Sequence, residues 1–528
     1  MSNSAKVMQR MSLPLTGSPE KTTSMKKLLS HSFVLATPFL IPSLAFAQAA
    51  PEPEPAEPPP TAEEVEPPAA TLPPPAEEPA PVDAPVEPAP EPEPALPPPP
   101  PEPEPVADEK PPEPSLSPVK FGTSTWSRFE VRENYDRLGV SRPRFSEGDQ
   151  TVFRARIKME TAELPLVDGV TGLVNFTPQA SGSWGLSGTG GTVGEANLGI
   201  YEGYFMLKSK IVEVKGGRFA MNYGDSLTIG NLDWNQAGRA FDGVHTHFIL
   251  DKGWIDAFFT QQAEGHPAVN NPFAAGDSYF WGLYANIGGY IAKGLALEPY
   301  FLGLSTASTE GLTGTDATGA PVTYARDGAT LFTLGARAQQ NIDLFDYRVE
   351  GGFQFGESTG TVPPTGPRAA AVSTLAAQVE GEVGLTFGPA RVGVGGFYAT
   401  GNAPDGADGP RNEAYNELFP TGHKFLGWMD IIGARSNVMG GMLKLGFKLN
   451  TSLTADLHGH LFARPQNGGL GRTGADSFAG GEINAQLTQK IGKYVAVRPM
   501  YGIFIPNENH YAIGEPVHYF ELQAGLNF

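Results

Sequence analysis

In the last eleven residues, HYFELQAGLNF (518–528), apolar side chains alternate strictly with others from Phe520 to the end. The apolar positions are Phe520, Leu522, Ala524, Leu526 and Phe528. A period of two is typical of a β-strand, because successive side chains point to opposite faces of a sheet. This strand therefore has one apolar face, and the chain ends on that face with an aromatic residue. An edge strand of a soluble sheet would show the same pattern, so the remaining sequence must decide its setting.

The same alternation recurs throughout residues 119–528. Clear examples are TVFRARIKMET (151–161), DYRVEGGFQFGES (346–358) and GGEINAQLTQKIG (480–492). About eighteen such segments can be placed, within the range of bacterial outer-membrane barrels, and no apolar run reaches the ~20 residues of a membrane helix. The sequence between them is alternately short, as in KSK (208–210), and long, as in the stretch from TGNAPDGADG (400–409) to Ser436.

Alternating short turns and long loops are typical of an up-and-down barrel, with the turns in the periplasm and the loops outside. Backbone groups left unpaired in lipid cost several kcal/mol, so the last strand must pair with the first, WSRFEVRENYDRL (126–138). We therefore predict an all-β fold, a transmembrane antiparallel β-barrel over residues 119–528. A secreted array of β-sandwiches would also alternate, but the loop-length asymmetry and the lack of a domain-sized repeat favour the barrel.

The N-terminal quarter of the chain has a different composition. MKKLLSHSFVLATPFLIPSLAFAQAA (25–50) has the positive start, apolar run and small-residue cleavage site of a secretory signal. Its apolar run is too short for an uncleaved membrane anchor. We predict a signal peptide over 1–47, with Met25 as the initiator. Residues 48–118 are almost wholly Pro, Glu and Ala and predict a disordered acidic periplasmic spacer.

Charge and cysteine content narrow the chemistry. The chain has a formal net charge of −20, but residues 1–118 contain 18 acidic and 6 basic side chains, so the barrel is only mildly acidic. There is no cysteine, which excludes disulfides, thiol nucleophiles and thiolate metal sites. Nothing in this composition indicates a nucleic-acid partner.

The strand face opposite the apolar one carries charges that would line a pore. The candidate basic residues are Arg128, Arg132, Arg154, Arg156, Lys158, Arg218, Arg239, Arg348, Lys444 and Arg498. The candidate acidic residues are Glu130, Glu160, Asp242, Glu350, Glu380 and Glu382. Cations on the first two strands suit an anionic solute, because arginine offers paired donors to carboxylates. Alternatively, the mixed charges pair across strands and simply fill the barrel.

Several residue groups invite a catalytic or metal-binding interpretation. His245 with His247, and His458 with His460, each place two imidazoles on one strand face. Any lumen-facing pair would have this spacing, so we expect polar lining and no metal site or cofactor. The largest loop contains Asp405, Asp408, His423 and Asp430, but without the spacing of a hydrolase motif. We expect no enzyme, and this loop could instead fold into the pore as a constriction.

Residues 216–244, GGRFAMNYGDSLTIGNLDWNQAGRAFDGV, suggest a family. The Gly-Arg, Tyr-Gly-Asp, Trp and Gly-Arg-x-Phe-Asp-Gly-Val elements resemble the alginate export family of outer-membrane barrels. ELFPTGHKFLGWMDII (417–432) and GGEINAQLTQKIGKYVAVRPMYGIFIP (480–506) are similar to further segments of that family. The resemblance implies an eighteen-stranded barrel with an arginine-lined pore, which exports an anionic polysaccharide passively. The acidic Pro-rich leader is outside the pattern.

Three functional hypotheses remain at this stage. The first is a passive outer-membrane channel for an anionic, alginate-like polymer, and the second is a general or nutrient-selective porin. The third is a structural envelope anchor, whose spacer reaches peptidoglycan or periplasmic and inner-membrane secretion partners. All three need membrane lipid and the barrel insertion machinery. The ending with Phe520, Leu522, Leu526 and Phe528 resembles the C-terminal signature recognised by that machinery.

Overall fold

The computed structural model describes residues 118–138, 148–184, 195–263, 277–315, 321–359, 368–403, 411–466, 477–511 and 514–528. Within these ranges the regular structure is β-strand, apart from three single-turn 3₁₀ helices. No helix in them is long and apolar enough to cross a membrane. The predicted signal peptide and nearly all of the predicted spacer lie outside the described residues.

The described strands form one barrel of eighteen antiparallel strands. The second strand is interrupted at residues 162–163 and continues through Leu164–Val167, which pairs with the same neighbour. The strands are β1 (Val119–Glu133), β2 (Gly148–Thr161), β3 (Val170–Trp184), β4 (Glu195–Lys208), β5 (Val212–Phe219), β6 (Phe241–Leu250), β7 (Gly253–Ala263), β8 (Ser278–Asn286), β9 (Ala296–Thr306), β10 (Ala329–Ile342), β11 (Phe345–Thr359), β12 (Ala371–Phe387), β13 (Ala390–Ala399), β14 (Val438–Lys448), β15 (Leu453–Ala463), β16 (Phe478–Ile491), β17 (Val495–Pro506) and β18 (Val517–Asn527).

The barrel closes between its first and last strands. β1 pairs with β2 on one side and with β18 on the other, from Ser124 opposite Asn527 to Glu133 opposite His518. The Phe528 backbone N–H donates to the Thr123 carbonyl at 3.1 Å, so pairing continues to the last residue. The closed sheet has no free edge, which satisfies the backbone in hydrocarbon. The predicted fold class is confirmed for the barrel.

The two ends of the barrel differ in their connections. Eight connections of two to nine residues lie at the end that holds Val119 and Asn527, here called the turn end. The connections at the opposite end, the loop end, are ten residues or longer. Three short segments there, Thr309–Thr315, Pro321–Arg326 and Arg368–Ala369, form a separate small sheet. The predicted alternation of short and long connections is confirmed.

The burial pattern is the reverse of that in a soluble protein. Large apolar side chains are exposed on the outer face, and Leu522 at 43 % and Leu334 at 55 % are typical. Charged side chains are buried inside, with Arg128 at 1 % and Glu130 at 0 % exposed. An apolar exterior around a polar interior suits lipid outside and water inside. The predicted C-terminal signature, Phe520, Leu522, Leu526 and Phe528, lies on the exposed face.

Candidate pore and its inner loops

Two loop-end connections fold into the barrel, where they contact lumen-facing side chains of the wall. Inner loop A comprises residues 220–240, between β5 and β6, and inner loop B comprises residues 411–437, before β14. Ile229 of loop A is completely buried, and Phe425 and Met429 of loop B are 3 % and 2 % exposed. Both loops pack against buried aromatic residues of the strands. Such folding into the pore was expected from the sequence for loop B only.

The predicted lining arginines of β1 and β2, here called the arginine stripe, are Arg128, Arg132, Arg154 and Arg156. Three of them hold inner loop A. Arg128 donates through Nη1 to the Trp234 carbonyl at 2.9 Å, and its guanidinium stacks 4.0 Å from the Trp234 ring. Arg154 and Arg156 each bind the Asp233 carboxylate, at 2.9 and 2.8 Å. These charge-assisted bonds fix loop A against the wall.

The Glu130 carboxylate on β1 links two arginines of the stripe. It pairs with Arg128 at 2.5 Å and also with Arg132, and neither arginine is more than 4 % exposed. Gln150 donates to its second oxygen at 2.6 Å. These arginines lie on the lumen face, and most of their ion pairs and hydrogen bonds are made with protein groups of the wall and of loop A.

Inner loop B is anchored mainly by two buried carboxylates of the wall. Glu482 on β16 accepts the backbone N–H groups of Trp428 and Met429 at 2.6 and 3.1 Å. Glu380 on β12 pairs with Arg435 of the loop and, at 2.6 Å, with Arg348 on β11. Sequence reasoning missed Glu482 as a loop anchor, because its partners are backbone groups about fifty residues away.

The two inner loops are also joined to each other. Ile229 and Phe419 form a parallel β-bridge, in which Gly230 N–H donates to the Phe419 carbonyl at 2.8 Å. The Trp234 ring stacks on His423 with the ring centres 3.9 Å apart. Arg239, a predicted lining residue, donates to the carbonyls of Gly230 and Pro420 at 3.1 and 3.0 Å. Loops A and B therefore behave as one structural unit.

A group of cations surrounds Asp225 of loop A inside the lumen. Arg337 on β10 and Arg348 bind its two carboxylate oxygens at 3.2 and 3.0 Å. Lys424 of loop B is solvent-accessible but enclosed by the barrel. This enclosure, with the charges of Arg348, Lys444 and Arg337, lowers the pKa of Lys424, while Asp225 acts in the opposite direction. The cluster combines cations from two strands and one loop, with Lys424 held close to other positive charges.

Most other predicted lining residues lie on the lumen face and are paired there. Lys158 binds Glu160 at 2.7 Å, Lys444 binds Glu382 at 2.8 Å and Arg498 binds Glu521 at 3.0 Å. Glu350 accepts the Thr228 hydroxyl of loop A at 2.6 Å. These contacts agree with the cross-strand pairing alternative, extended to include the inner loops.

Arg218 and Asp242 correct the predicted lining set. They pair with each other at 2.5 Å, and their side chains are 42 % and 53 % exposed. Their neighbours Phe219 and Phe241 are each 1 % exposed and belong to the interior cluster. Because adjacent strand residues face opposite sides, Arg218 and Asp242 lie on the outer face near the loop end. The usual assignment of faces is reversed here because Phe219 and Phe241 face inward, where loop A fills the lumen.

Three of the histidines singled out in the sequence pair with carboxylates: His245, His247 and His423. Asp256 bridges His245 and His247 at 3.0 and 2.5 Å. His423 pairs with Asp430 at 2.9 Å, whereas Asp405 and Asp408 lie outside the described residues. In the part of the chain that the structure covers, no group of three His, Asp or Glu side chains is arranged to hold a metal.

The sequence profile described as alginate export matches residues 198–501, more than half of the chain. The chain belongs to the alginate export family. The match spans β5, both inner loops and the cations around Asp225. The family and the barrel indicate a bacterial outer-membrane protein and support a passive channel, which is a transport role and not a catalytic one. Among curated proteins, no sequence matches this chain.

Solved structures resemble this chain in fold. Acinetobacter baumannii OccAB4 is 9 % identical with a TM-score of 0.52, over 78 % of this chain and 99 % of that one. Pseudomonas aeruginosa OccK5 (OpdH) is 11 % identical with a TM-score of 0.51, over 78 % and 98 %. A. baumannii OccAB1 is 12 % identical with a TM-score of 0.51, over 78 % and 96 %. At these identities the similarity shows the barrel fold alone.

Proposed function

We propose that this member of the alginate export family is a passive channel that exports an anionic polysaccharide, with its turn end in the periplasm. The observation that carries this proposal is the cation cluster of Lys424, Arg348, Arg337 and Lys444 inside the lumen. Positive charge inside low-dielectric walls attracts carboxylates, and arginine binds them through paired donors. A polymer must bind weakly at several points in order to keep moving.

The two groups of basic residues have different roles in this proposal. Arg128, Arg154 and Arg156 position inner loop A, because their donors already bind Trp234 and Asp233. Lys424 projects from inner loop B, and we assign it direct contact with the solute. The stripe therefore influences selectivity through the loop position, and Lys424 influences it through its own charge.

The reversal potential across a planar bilayer with a salt gradient tests this assignment. Lys424→Gln should reduce the preference for chloride over potassium, because it removes one accessible charge from the cluster. Lys210→Gln, in the exposed turn between β4 and β5, is the matched control and should leave the preference unchanged. Equal reversal potentials for Lys424→Gln and the unaltered channel would refute the direct role of Lys424.

A second candidate, a porin for small anionic solutes, is favoured by one observation. The inner loops are bridged at Ile229 and Phe419 inside the lumen, which narrows the space for a chain. Added polyuronate separates the two hypotheses. A transported polymer should interrupt the current in events that lengthen with polymer length, whereas a small-solute porin should be indifferent to length.

The envelope-anchor hypothesis has a separate discriminator. An anchor needs no conducting path, so a barrel that inserts into bilayers and passes almost no current would favour it. Removing residues 51–116 would then weaken envelope cohesion. A conducting barrel whose current survives this deletion favours the channel.

A further inference from the structure

Four polar residues lie side by side on the outer face of the barrel near the loop end. In the strand register, Arg218 on β5 is opposite Asp242 on β6. Asp242 is opposite Gln261 on β7, and Gln261 is opposite Tyr279 on β8. These four residues are here called the outer polar row. On β5 to β8 no other outward-facing position carries a charged side chain, so the row is an exception on a face that otherwise meets lipid.

A band of apolar and aromatic side chains lies beside this row, two residues closer to the turn end. Val244 on β6, Phe259 on β7 and Trp281 on β8 are opposite one another in the register. Farther around the wall, the centre of the Phe332 ring lies 6.1 Å from that of Trp281 and 5.4 Å from that of Phe355. In outer-membrane barrels such aromatic girdles mark the edges of the apolar band. The outer polar row therefore lies at the level of the lipid headgroups.

The outer polar row lines a depression in the wall of about 420 Å³. Gly217, Gly243 and Phe259 complete its lining. Phe259 is 38 % exposed and belongs to the aromatic band, so the depression reaches from the polar row to the apolar surface. Ligand sites in proteins commonly have volumes of about 300–1,000 Å³. The depression can therefore hold a headgroup, and its polar and apolar sides follow the order in which a lipid presents its own.

The depression offers charges of both signs to a ligand. Arg218 Nη1 donates to Asp242 Oδ2 at 2.5 Å, and the two side chains are 42 % and 53 % exposed. This bond uses one of the five N–H donors of arginine and one of the two carboxylate oxygens. An exposed ion pair adds little to stability, so barrel formation does not account for it. A ligand with one charge would be attracted by one partner and repelled by the other, whereas a ligand with both charges matches the pair.

We propose that this depression binds the headgroup of a membrane lipid that carries a phosphate next to an ammonium group, as in phosphatidylethanolamine. The phosphate accepts hydrogen bonds from Arg218, and the ammonium group donates to Asp242. The lipid chains then lie along the exposed side chains of Phe259 and Val244. The site needs a barrel in a membrane but no transported solute, so it is independent of the proposed export.

Native mass spectrometry of the whole mature chain in detergent micelles tests this site with three added phospholipids. We expect phosphatidylethanolamine to bind. Phosphatidylglycerol has the phosphate without the ammonium group, and phosphatidylcholine has an ammonium group without N–H donors. Each of these two should bind roughly tenfold more weakly, because one charge-assisted hydrogen bond is missing.

Substitutions of the ion pair assign the binding to the depression. Arg218→Gln and Asp242→Asn should each remove the preference, because each removes one of the two charges. Arg137→Gln is the matched control and should keep it. Arg137 pairs with Glu515 at 2.7 Å at the same end of the barrel, both side chains are exposed, and neither lines the depression. Arg218 and Asp242 are exposed, so the barrel should still form, which the folded band on unheated gels checks.

Equal binding of the three phospholipids would overturn the proposal, and so would a preference for phosphatidylethanolamine that persists in both variants. If lipopolysaccharide without ethanolamine substituents displaces phosphatidylethanolamine, the paired charges do not select the lipid and the proposal is also overturned. A lipid-free dimer that Arg218→Gln dissociates would overturn it as well and assign the depression to a contact between copies. None of these measurements uses a current, so failure of the proposed channel function would leave their results unchanged.

Discussion

The attachment of inner loop B to the wall depends strongly on one carboxylate oxygen. Glu482 Oε1 accepts N–H groups from Trp428 at 2.6 Å, from Met429 at 3.1 Å and from the Asn484 side chain at 2.7 Å. Glu482→Ala leaves both backbone donors without this acceptor. A buried N–H group that loses its hydrogen-bond acceptor costs about 1–3 kcal/mol, and water in the lumen recovers part of this free energy. We therefore take a total of about 3 kcal/mol for the N–H groups of Trp428 and Met429. This corresponds to a roughly hundredfold larger detached fraction of the segment.

Hydrogen exchange followed by mass spectrometry measures this detachment directly. Amides 428 and 429 should exchange roughly a hundredfold faster in Glu482→Ala, since local opening sets their rate. Glu482→Gln keeps an acceptor oxygen, so its exchange rates should lie between those of the unaltered chain and those of Glu482→Ala. Gln486→Ala, on the same lumen-facing side of β16, is the matched control and should leave both amides protected. If both amides exchange at the same rate in the unaltered chain and in Glu482→Ala, Glu482 does not anchor loop B.

Three further predictions concern the wall, the inner loops and Lys424. Leu522→Arg should destabilise the barrel by about 2–4 kcal/mol for a site at mid-membrane, because it places a charge on the lipid-facing surface. Gln523→Arg, on the lumen face, should be tolerated, and the folded band on unheated gels measures both effects. Equal loss of the folded band in the two variants would contradict the assigned faces. In this cysteine-free chain, Ile229→Cys with Phe419→Cys should form a disulfide that joins the two inner loops. The disulfide should stop polymer passage, leave the small-ion current intact and lose its effect when it is reduced. Unchanged polymer passage would show that the loops need not separate. Because the pKa of Lys424 is lowered, its charge should be lost at lower pH than that of an ordinary lysine. On alkalinisation the anion preference should therefore fall before an exposed lysine would lose its proton. Lys424→Gln should remove that step, and a step that persists has another origin.

The predicted pore-lining residues show how far the face of a side chain can be inferred from its neighbours in sequence. Arg128, Arg154 and Glu130 were placed on the lumen face from alternation alone, and the structure puts them there. Arg218 and Asp242 were placed wrongly, because Phe219 and Phe241 face inward to meet loop A. Lys424 and Asp225 were absent from the set, since they lie in loops that carry no strand period.

The sequence by itself determined the barrel, the approximate number of its strands, the alternation of turns with loops and most of the strand faces, with the exception of Arg218 and Asp242. These features follow from a two-residue period and from turn composition, which are properties of neighbouring residues. Only the tertiary structure decided that loops A and B enter the lumen, that the arginine stripe binds Asp233 and Trp234, and that Glu482 holds loop B. Those contacts join residues tens to hundreds of positions apart, so they depend on barrel closure, which brings distant strands to one wall.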